Sequence, residues 1–301
     1  MKRALTLLAF ASLLGAAHAT AQALDHVQIK TTHAAGRVWM LEGRGGNIGV
    51  SVGGDGILIV DDQFAPLAAK IQAALGQLGT GKLRFVLNTH WHGDHTGSNV
   101  VFGPLAPILA HTNVRRRLAT RQELFGQAVE PSPQEALPVI TYDSGVSLHL
   151  NGEEIRAEHF PTSHTDGDTV IWFTGSNVVH LGDLFFAGMF PFVDVDSGGD
   201  VPGLTRSIRR ILDTLPAGVK IIPGHGPLST SADLERYHAM LVATTDVVRR
   251  AIEAGKSLDE IQAAGLGPEW AEWGTGFIDT KNWLGFVHRS LTQRGGTETG
   301  E

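Results

Sequence analysis

Apolar residues in the first third of the chain fall in short runs at 38–41, 48–52 and 57–60, too short for helices and rich in Val and Ile. These runs predict strands. Gly43, Arg44, Gly45, Gly46 and Asn47 mark one flexible connection, and Gly53, Gly54, Asp55 and Gly56 supply a hairpin turn that tolerates positive φ. Over 65–78 the period changes: Leu67, Ile71, Ala74, Leu75 and Leu78 share one stripe, with Pro66 at the start, which predicts a helix. Strands resume at 83–87 and around Ile108, and a helix is expected over 114–125, ended by Gly126. Pro131, Pro133 and Pro138 mark an irregular loop.

The second half repeats the plan. Strands are expected at 146–150, 154–160, 170–173, 177–180 and 219–222, with helices at 203–214 and 232–254. Thr230 or Ser231 caps the long helix, and Asp233 and Glu235 sit near its positive end. Two blocks of strands, each closed by helices, suggest an α/β fold of two packed sheets with helices outside. Residues 257–292 read as a helical extension carrying Trp270, Trp273, Phe277, Trp283 and Phe286. Packing against the sheets is the first reading of those aromatics, with a dimer contact or a substrate lid as alternatives.

The N-terminus changes the picture of where the protein works. Lys2 and Arg3 precede an apolar run from Ala4 to Ala17, and Ala17-His18-Ala19 and Ala19-Thr20-Ala21 are both cleavage candidates. Residues 1–21 are expected to be a cleaved signal peptide and 22–301 one domain, exported and periplasmic, with no stable membrane anchor. An uncleaved anchor is the alternative, disfavoured because the run is short for a bilayer. Losing Lys2 and Arg3 takes the formal charge from −7 to −9, which argues against nucleic acid as a partner and leaves a small-molecule substrate. The basic run Arg115 to Arg117 is expected to be a solvated helix face. Cysteine is absent, and a chain of this length can bury enough apolar surface without disulfides.

Candidate chemistry is concentrated in His90-Trp91-His92-Gly93-Asp94-His95, directly after the 83–87 strand. In extended backbone positions i and i+2 point to one side, so His90 and His92 can converge on one cation while Asp94 and His95 turn towards a second. Imidazole and carboxylate together suit zinc, with iron or manganese as alternatives. His164, Asp183 and His225 follow at long range, within Thr162-Ser163-His164-Thr165-Asp166-Gly167-Asp168, His180-Leu181-Gly182-Asp183 and Ile222-Pro223-Gly224-His225-Gly226.

These elements, in this order, resemble the H-x-H-x-D-H pattern of the metallo-β-lactamase superfamily, from about Trp39 to about His225. The resemblance implies a four-layer αββα sandwich with metals at one sheet edge. It implies two zinc ions (Zn2+): His90, His92 and His164 on the first, Asp94, His95 and His225 on the second, and Asp183 bridging. The nucleophile would be a metal-bridging hydroxide, and Asp94 would receive and pass on a proton. Asp61 matches the family's early aspartate that orients a ligand imidazole, and Asp168 is a candidate for the same work beside His164. Asp62 reads as a helix N-terminal carboxylate and His111 as structural; His26, His33, His149, His159, His180, His238 and His288 lack a motif. Trp91, Phe185, Phe186 and Phe190 are expected to wall a substrate pocket, with core packing as the alternative, and Arg44 is a candidate for catching a substrate carboxylate.

The expected activity is hydrolysis of a small carbonyl substrate: lactone, ester, thioester or amide. A true β-lactamase is the rival, favoured by export and by the His164–Asp168 segment. Against it, the commonest of those enzymes carry Cys, or in one subclass Ser, at the position of Asp183. An iron oxidoreductase is a third class. His92 argues against the flavodiiron type, which has Glu there, whereas a one-iron persulfide-dioxygenase type keeps the histidines. A non-catalytic zinc protein fits poorly, because structural zinc sites are closed by four ligands.

Overall fold

The computed structural model describes residues 24–294; the expected signal segment at 1–21 lies outside them. Fourteen strands are present among the described residues. The first block runs β1 (Lys30–Ala35), β2 (Val38–Glu42), β3 (Ile48–Gly53), β4 (Gly56–Val60), β5 (Leu83–Leu87), β6 (Ile108–His111), β7 (Gln122–Leu124), β8 (Gln127–Val129) and β9 (Ile140–Tyr142). The second runs β10 (Gly145–Leu150), β11 (Glu153–His159), β12 (Thr169–Phe173), β13 (Val178–His180) and β14 (Lys220–Ile222). One sheet has the order β1-β2-β3-β4-β5-β6-β9 and the other β10-β11-β12-β13-β14. Both are mixed: β4, β5, β6 and β9 pair parallel, as do β13 and β14, and the remaining pairs are antiparallel.

Side-chain alternation explains the layering. Along β4, Leu58 and Val60 enter the core between the sheets, meeting Ile155, Ile171, Phe173 and Ile222. Ile57 and Ile59 point the other way, onto Leu67, Ile71 and Leu75 of the 3-10 turn and the Ala68–Leu78 helix. Both faces are covered, so the strand reads as an unbroken apolar run, and each fully buried side chain contributes about 1.5–3 kcal/mol. On the far side the second sheet packs against the helices Val201–Thr214, Ser231–Glu253 and Thr280–Arg294 through Val179, Ile221, Leu204, Ile208, Met240 and Trp283. The order is therefore helix, sheet, sheet, helix, and the fold is the four-layer αββα sandwich.

One expected element differs. The helix expected over 114–125 is a short helix, Thr112–Leu118, followed by the β7–β8 hairpin. Phe125 and Gly126 form the hairpin tip with φ of 52° and 71°, so Gly126 serves a turn and not a helix end. Nor is the arginine run simply a solvated face: Arg117 forks onto Asp166 at 2.8 Å, while Arg116 stays exposed. Thr230 caps the long helix in a reciprocal box with Asp233.

The C-terminal extension is built of the Leu258–Ala264 helix, a 3-10 segment at Pro268–Thr275 and the Thr280–Arg294 helix. Trp283 is fully buried, stacks on Phe190 at 5.5 Å and donates its indole N–H to Thr244 Oγ1. Phe277 is 72% exposed. No helix among the described residues is long and apolar enough to cross a membrane.

Candidate metal centre

The candidate ligands lie at one edge of the sandwich and come from both sheets. His90, His92, Asp94 and His95 follow the end of β5; Asp183 follows β13 and His225 follows β14. His164 precedes β12, which runs antiparallel to β13, so its loop opens at the same edge. Two groups result: His90, His92, His164 and Asp183, and beside them Asp94, His95 and His225, with the ligand atoms of each group within 4.8 Å of one another. Asp183 faces both. Its Oδ2 lies 3.8 Å from His90 Nε2 and 3.5 Å from His164 Nε2, and its Oδ1 lies 3.0 Å from His95 Nε2 and 3.4 Å from His225 Nε2.

The far side of each imidazole fixes its tautomer. Thr89 donates its N–H and its hydroxyl to the two oxygens of Asp61, so Thr89 Oγ1 is left to accept from His90 Nδ1–H at 3.0 Å. His95 donates Nδ1–H to Asp61 Oδ2 at 2.7 Å, His92 donates Nε2–H to Asp194 Oδ2 at 3.0 Å, and His164 donates Nδ1–H to the Phe192 carbonyl at 2.8 Å. The inward nitrogens of His90, His92 and His164 therefore carry lone pairs and no proton. Yet His92 Nδ1 lies 3.1 Å from His90 Nε2 and 2.9 Å from His164 Nε2. Three bare lone pairs so close repel unless a cation lies between them, and Asp183 Oδ1 is buried without a hydrogen bond. The donor set fits divalent metal.

Electrostatics divides the groups. Burial pushes the His90 and His164 imidazoles down, well below the usual range for the first and to about 4 for the second, keeping both neutral. Burial would raise the Asp183 carboxyl, but His95 and then His225 outweigh it and hold the group well below the carboxylate range. Asp94 likewise falls to about 2, burial being overcome by His95 and His225. Burial opposes charge on His225, yet Asp183 and Asp94 lift it to about 9. The second group thus attracts positive charge.

Local backbone explains the placement. Asp61 adopts φ of 64° immediately after β4, a strained conformation that costs about 1–3 kcal/mol and turns its carboxylate back onto Thr89 and His95. Asn47 donates to the carbonyls of Pro223 and Gly226, tying the Gly-rich connection to the His225 turn. Gln63 donates to the Gly46 carbonyl, and Gly46 N–H donates to the Asp94 carbonyl.

Sequence reasoning missed Asp194, Thr89, Asn47, Gln63 and the Phe192 carbonyl. None belongs to a motif, and no local signal points to them. Asp168 is placed differently from its expected role: it accepts from His164 N–H, Thr165 N–H and the Thr165 hydroxyl, so it holds the loop's backbone and not the ring. Asp62 is buried and accepts from Ser98 N–H instead of serving the helix near Ala65. His111 accepts from Asn113 N–H as a helix cap and stacks on His159 at 3.6 Å.

A cavity of about 690 Å³ opens over the metal groups, lined by Asp94, Asp183 and His225 at its floor. Trp91 and Phe186 line it as expected. Phe185 and Phe190 do not; they fill the core, against Tyr237 at 5.1 Å and Trp283 at 5.5 Å. Arg44 stands exposed at the mouth and makes no ion pair among the described residues.

A family model described as the metallo-beta-lactamase superfamily matches residues 41–231, more than half of the chain. The chain belongs to that superfamily. Its two His/Asp groups are of the kind that could hold metal ions. A probable metallo-hydrolase of Burkholderia pseudomallei is 29% identical over 168 residues, 50% of this chain and 54% of the relative. A hydroxyacylglutathione hydrolase of Methylococcus capsulatus is 27% identical over 184 residues, 61% of this chain and 62% of the relative. The chain thus spans about half to two thirds of the length of these relatives. Among solved structures, a metallo-beta-lactamase from Pontibacter korlensis superposes with a TM-score of 0.59 at 15% identity, covering 71% of this chain and 99% of that one. A stereoselective inverting sec-alkylsulfatase from a Pseudomonas species gives 0.69 at 15% identity, covering 93% and 52%. At such identities the two likenesses show the fold.

Proposed function

We propose that this protein uses two zinc ions to hydrolyse a small carbonyl substrate: an ester, lactone, thioester or amide. The observation that carries the reading is Asp183, whose two carboxylate oxygens face different ligand groups at the floor of one open cavity. His90, His92 and His164 would hold one ion, Asp94, His95 and His225 the other, with Asp183 between them. Ions held there would lower the pKa of a bound water to about 7 and stabilise negative charge developing at the attacked carbonyl.

The chain's own residues supply the rest. Asp94 Oδ2 lies 3.3 Å from His225 Nε2, borders the cavity and is ionised, so it can accept a proton at that oxygen and return it to a leaving group. Asp61, Asp194, Thr89 and the Phe192 carbonyl keep four imidazoles turned with one nitrogen inward. Trp91 and Phe186 keep bulk water from the cavity wall. The named relatives include hydroxyacylglutathione hydrolases, thioesterases in chemistry, which supports an acyl substrate.

Metal analysis beside a panel of lactones, esters, thioesters and β-lactams tests the reading. About two zincs per chain with acyl turnover supports it. Bound iron with thiol-dependent oxygen uptake and no hydrolysis overturns it, and β-lactam cleavage far above ester cleavage replaces it with the rival.

A further inference from the structure

Aromatic side chains form an unbroken line outward from the metal groups. The Phe192 ring lies 5.6 Å from the His92 ring and 5.7 Å from the His164 ring. Phe125, at the tip of the β7–β8 hairpin, lies 4.6 Å from Phe192. Phe277, from the C-terminal extension, meets Phe125 edge-to-face at 5.8 Å. Phe125 is 57% and Phe277 72% exposed, although each touches another aromatic ring. Large exposed apolar residues scattered singly need no explanation, whereas several gathered at one opening do. Phe125, Val129 and Phe277 all line the mouth of the cavity that reaches Asp183 and His225.

Charge sharpens the point. Arg117 lines the same cavity but is held by Asp166 and Gln122, leaving Arg44 as the one lining cation with no ion pair among the described residues. Glu130 lines the same cavity, and Asp94 and Asp183 belong to the ligand groups. Away from the ligand groups, the cavity is poorly equipped for a substrate part that carries several negative groups and well equipped for an uncharged, greasy one.

We propose that Phe125 and Phe277 form an aromatic clasp that selects substrates whose acyl part is a long or bulky apolar group, seated along Phe192 with its carbonyl at Asp183 and His225. The proposal rests on the hydrolase reading above for the word substrate, but the clasp itself is a binding site that metal-free protein retains. A cavity of about 690 Å³ lies within the range that takes a drug-sized ligand. Each methylene moved from water into such a site favours binding about fourfold.

The zinc-loaded protein, Phe125→Ala and Phe277→Ala are compared on p-nitrophenyl esters from acetate to octanoate. The expected result is that kcat/KM rises with chain length in the unchanged protein. The octanoate-to-acetate ratio falls at least about tenfold in each variant, the equivalent of losing roughly two methylenes of contact. A flat series, or a ratio that both variants keep, overturns the clasp. Both rings are largely exposed, so neither truncation threatens the core.

If no ester is cleaved, the hydrolase reading fails, and metal-free binding of the neutral probe N-phenyl-1-naphthylamine decides the clasp separately. Saturable fluorescence at one site per chain, weakened at least about fivefold in both variants, sustains it. Equal binding in all three proteins overturns it.

Discussion

Asp194 does for His92 what Asp61 does for His95: a buried carboxylate takes the outward N–H and aims the other nitrogen at the cation. Removing such a partner typically weakens metal binding by about 10–100-fold. Asp194→Ala is therefore expected to lose affinity by that order in chelator competition, with the first group emptying before the second; unchanged affinity would return Asp194 to its other task, accepting Ser197 N–H. Legibility at this scale divides along the same line. The proposed ligands His90 to His95 crowd into six residues, which a reader of sequence can see. Their partners are far off: Asp61, 34 residues from His95, was legible only through the family resemblance, whereas Asp194, 102 residues from His92, belongs to no motif, and a lone acid in a loop carries no pattern. A second residue-scale prediction concerns His159, which burial and then the facing His111 hold down at about 4. An unfolded histidine titrates near 6.5. Between those values the unfolded chain binds a proton the folded chain refuses, so this histidine's effect lowers stability as pH falls from about 6.5 to about 4 and changes it no further outside that window. His159→Gln, which can still donate to the Asp168 carbonyl, should show a smaller drop in melting temperature between those pH values. Parallel profiles for the two proteins would contradict the assignment.

Two tight turns bring the elements close enough for the site to form. A Cβ on Gly224 would sit 2.0 Å from Asp183 Oδ1 and 2.7 Å from the Gly182 backbone, and one on Gly46 would sit 2.0 Å from His95 Cε1. Neither neighbour is the free end of a flexible chain, so each must be displaced as a whole. Gly46→Ala should therefore lower metal stoichiometry at the second group while His90, His92 and His164 keep theirs, and Gly224→Ala should disturb both groups because Asp183 serves both. Metal content of the two purified variants checks this, and two full equivalents in Gly224→Ala would show that the turn has more room than the backbone allows. Elsewhere the elements were legible where periodicity was strong. The strands that read as unbroken apolar runs, 57–60 and 170–173, are those covered on both faces. Misreading came where two physical signals shared one residue. Val114 and Leu118 do lie on one buried helical face, and Gly126 is what commonly follows a helix, but the chain turns after Leu118 and Gly126 closes a hairpin. β1 escaped notice because Lys30, Thr31, Thr32 and His33 bury little and pair only at a sheet edge.

At the scale of the whole molecule each ligand group is split between the sheets. His90 and His92 from the first sheet face His164 and Asp183 from the second, and Asp94 and His95 face His225 and Asp183 in the same way. Ions held at this edge would therefore join the layers as a crosslink does, in addition to the apolar core that Leu58, Phe173 and Ile222 form between the sheets. Without ions the close inward nitrogens of His90, His92 and His164 repel one another out of water, which favours opening. A ligand that binds only the folded state adds about 2.7 kcal/mol per site when present at 100 times its Kd, so two filled sites add about 5 kcal/mol. For a chain of this size that corresponds to a melting temperature higher by on the order of 10 °C. Chelation is expected to lower the melting temperature by that order and to speed amide exchange first in the loops after β5, β13 and β14, while β3, β4 and β11, which contribute no ligand, keep their protection until global unfolding. Exchange that accelerates evenly through both sheets would mean that the ions stabilise the fold without joining its halves. A melting temperature unmoved by metal removal would mean that the site is preorganised by its hydrogen bonds alone, through Asp61, Asp194 and the Phe192 carbonyl.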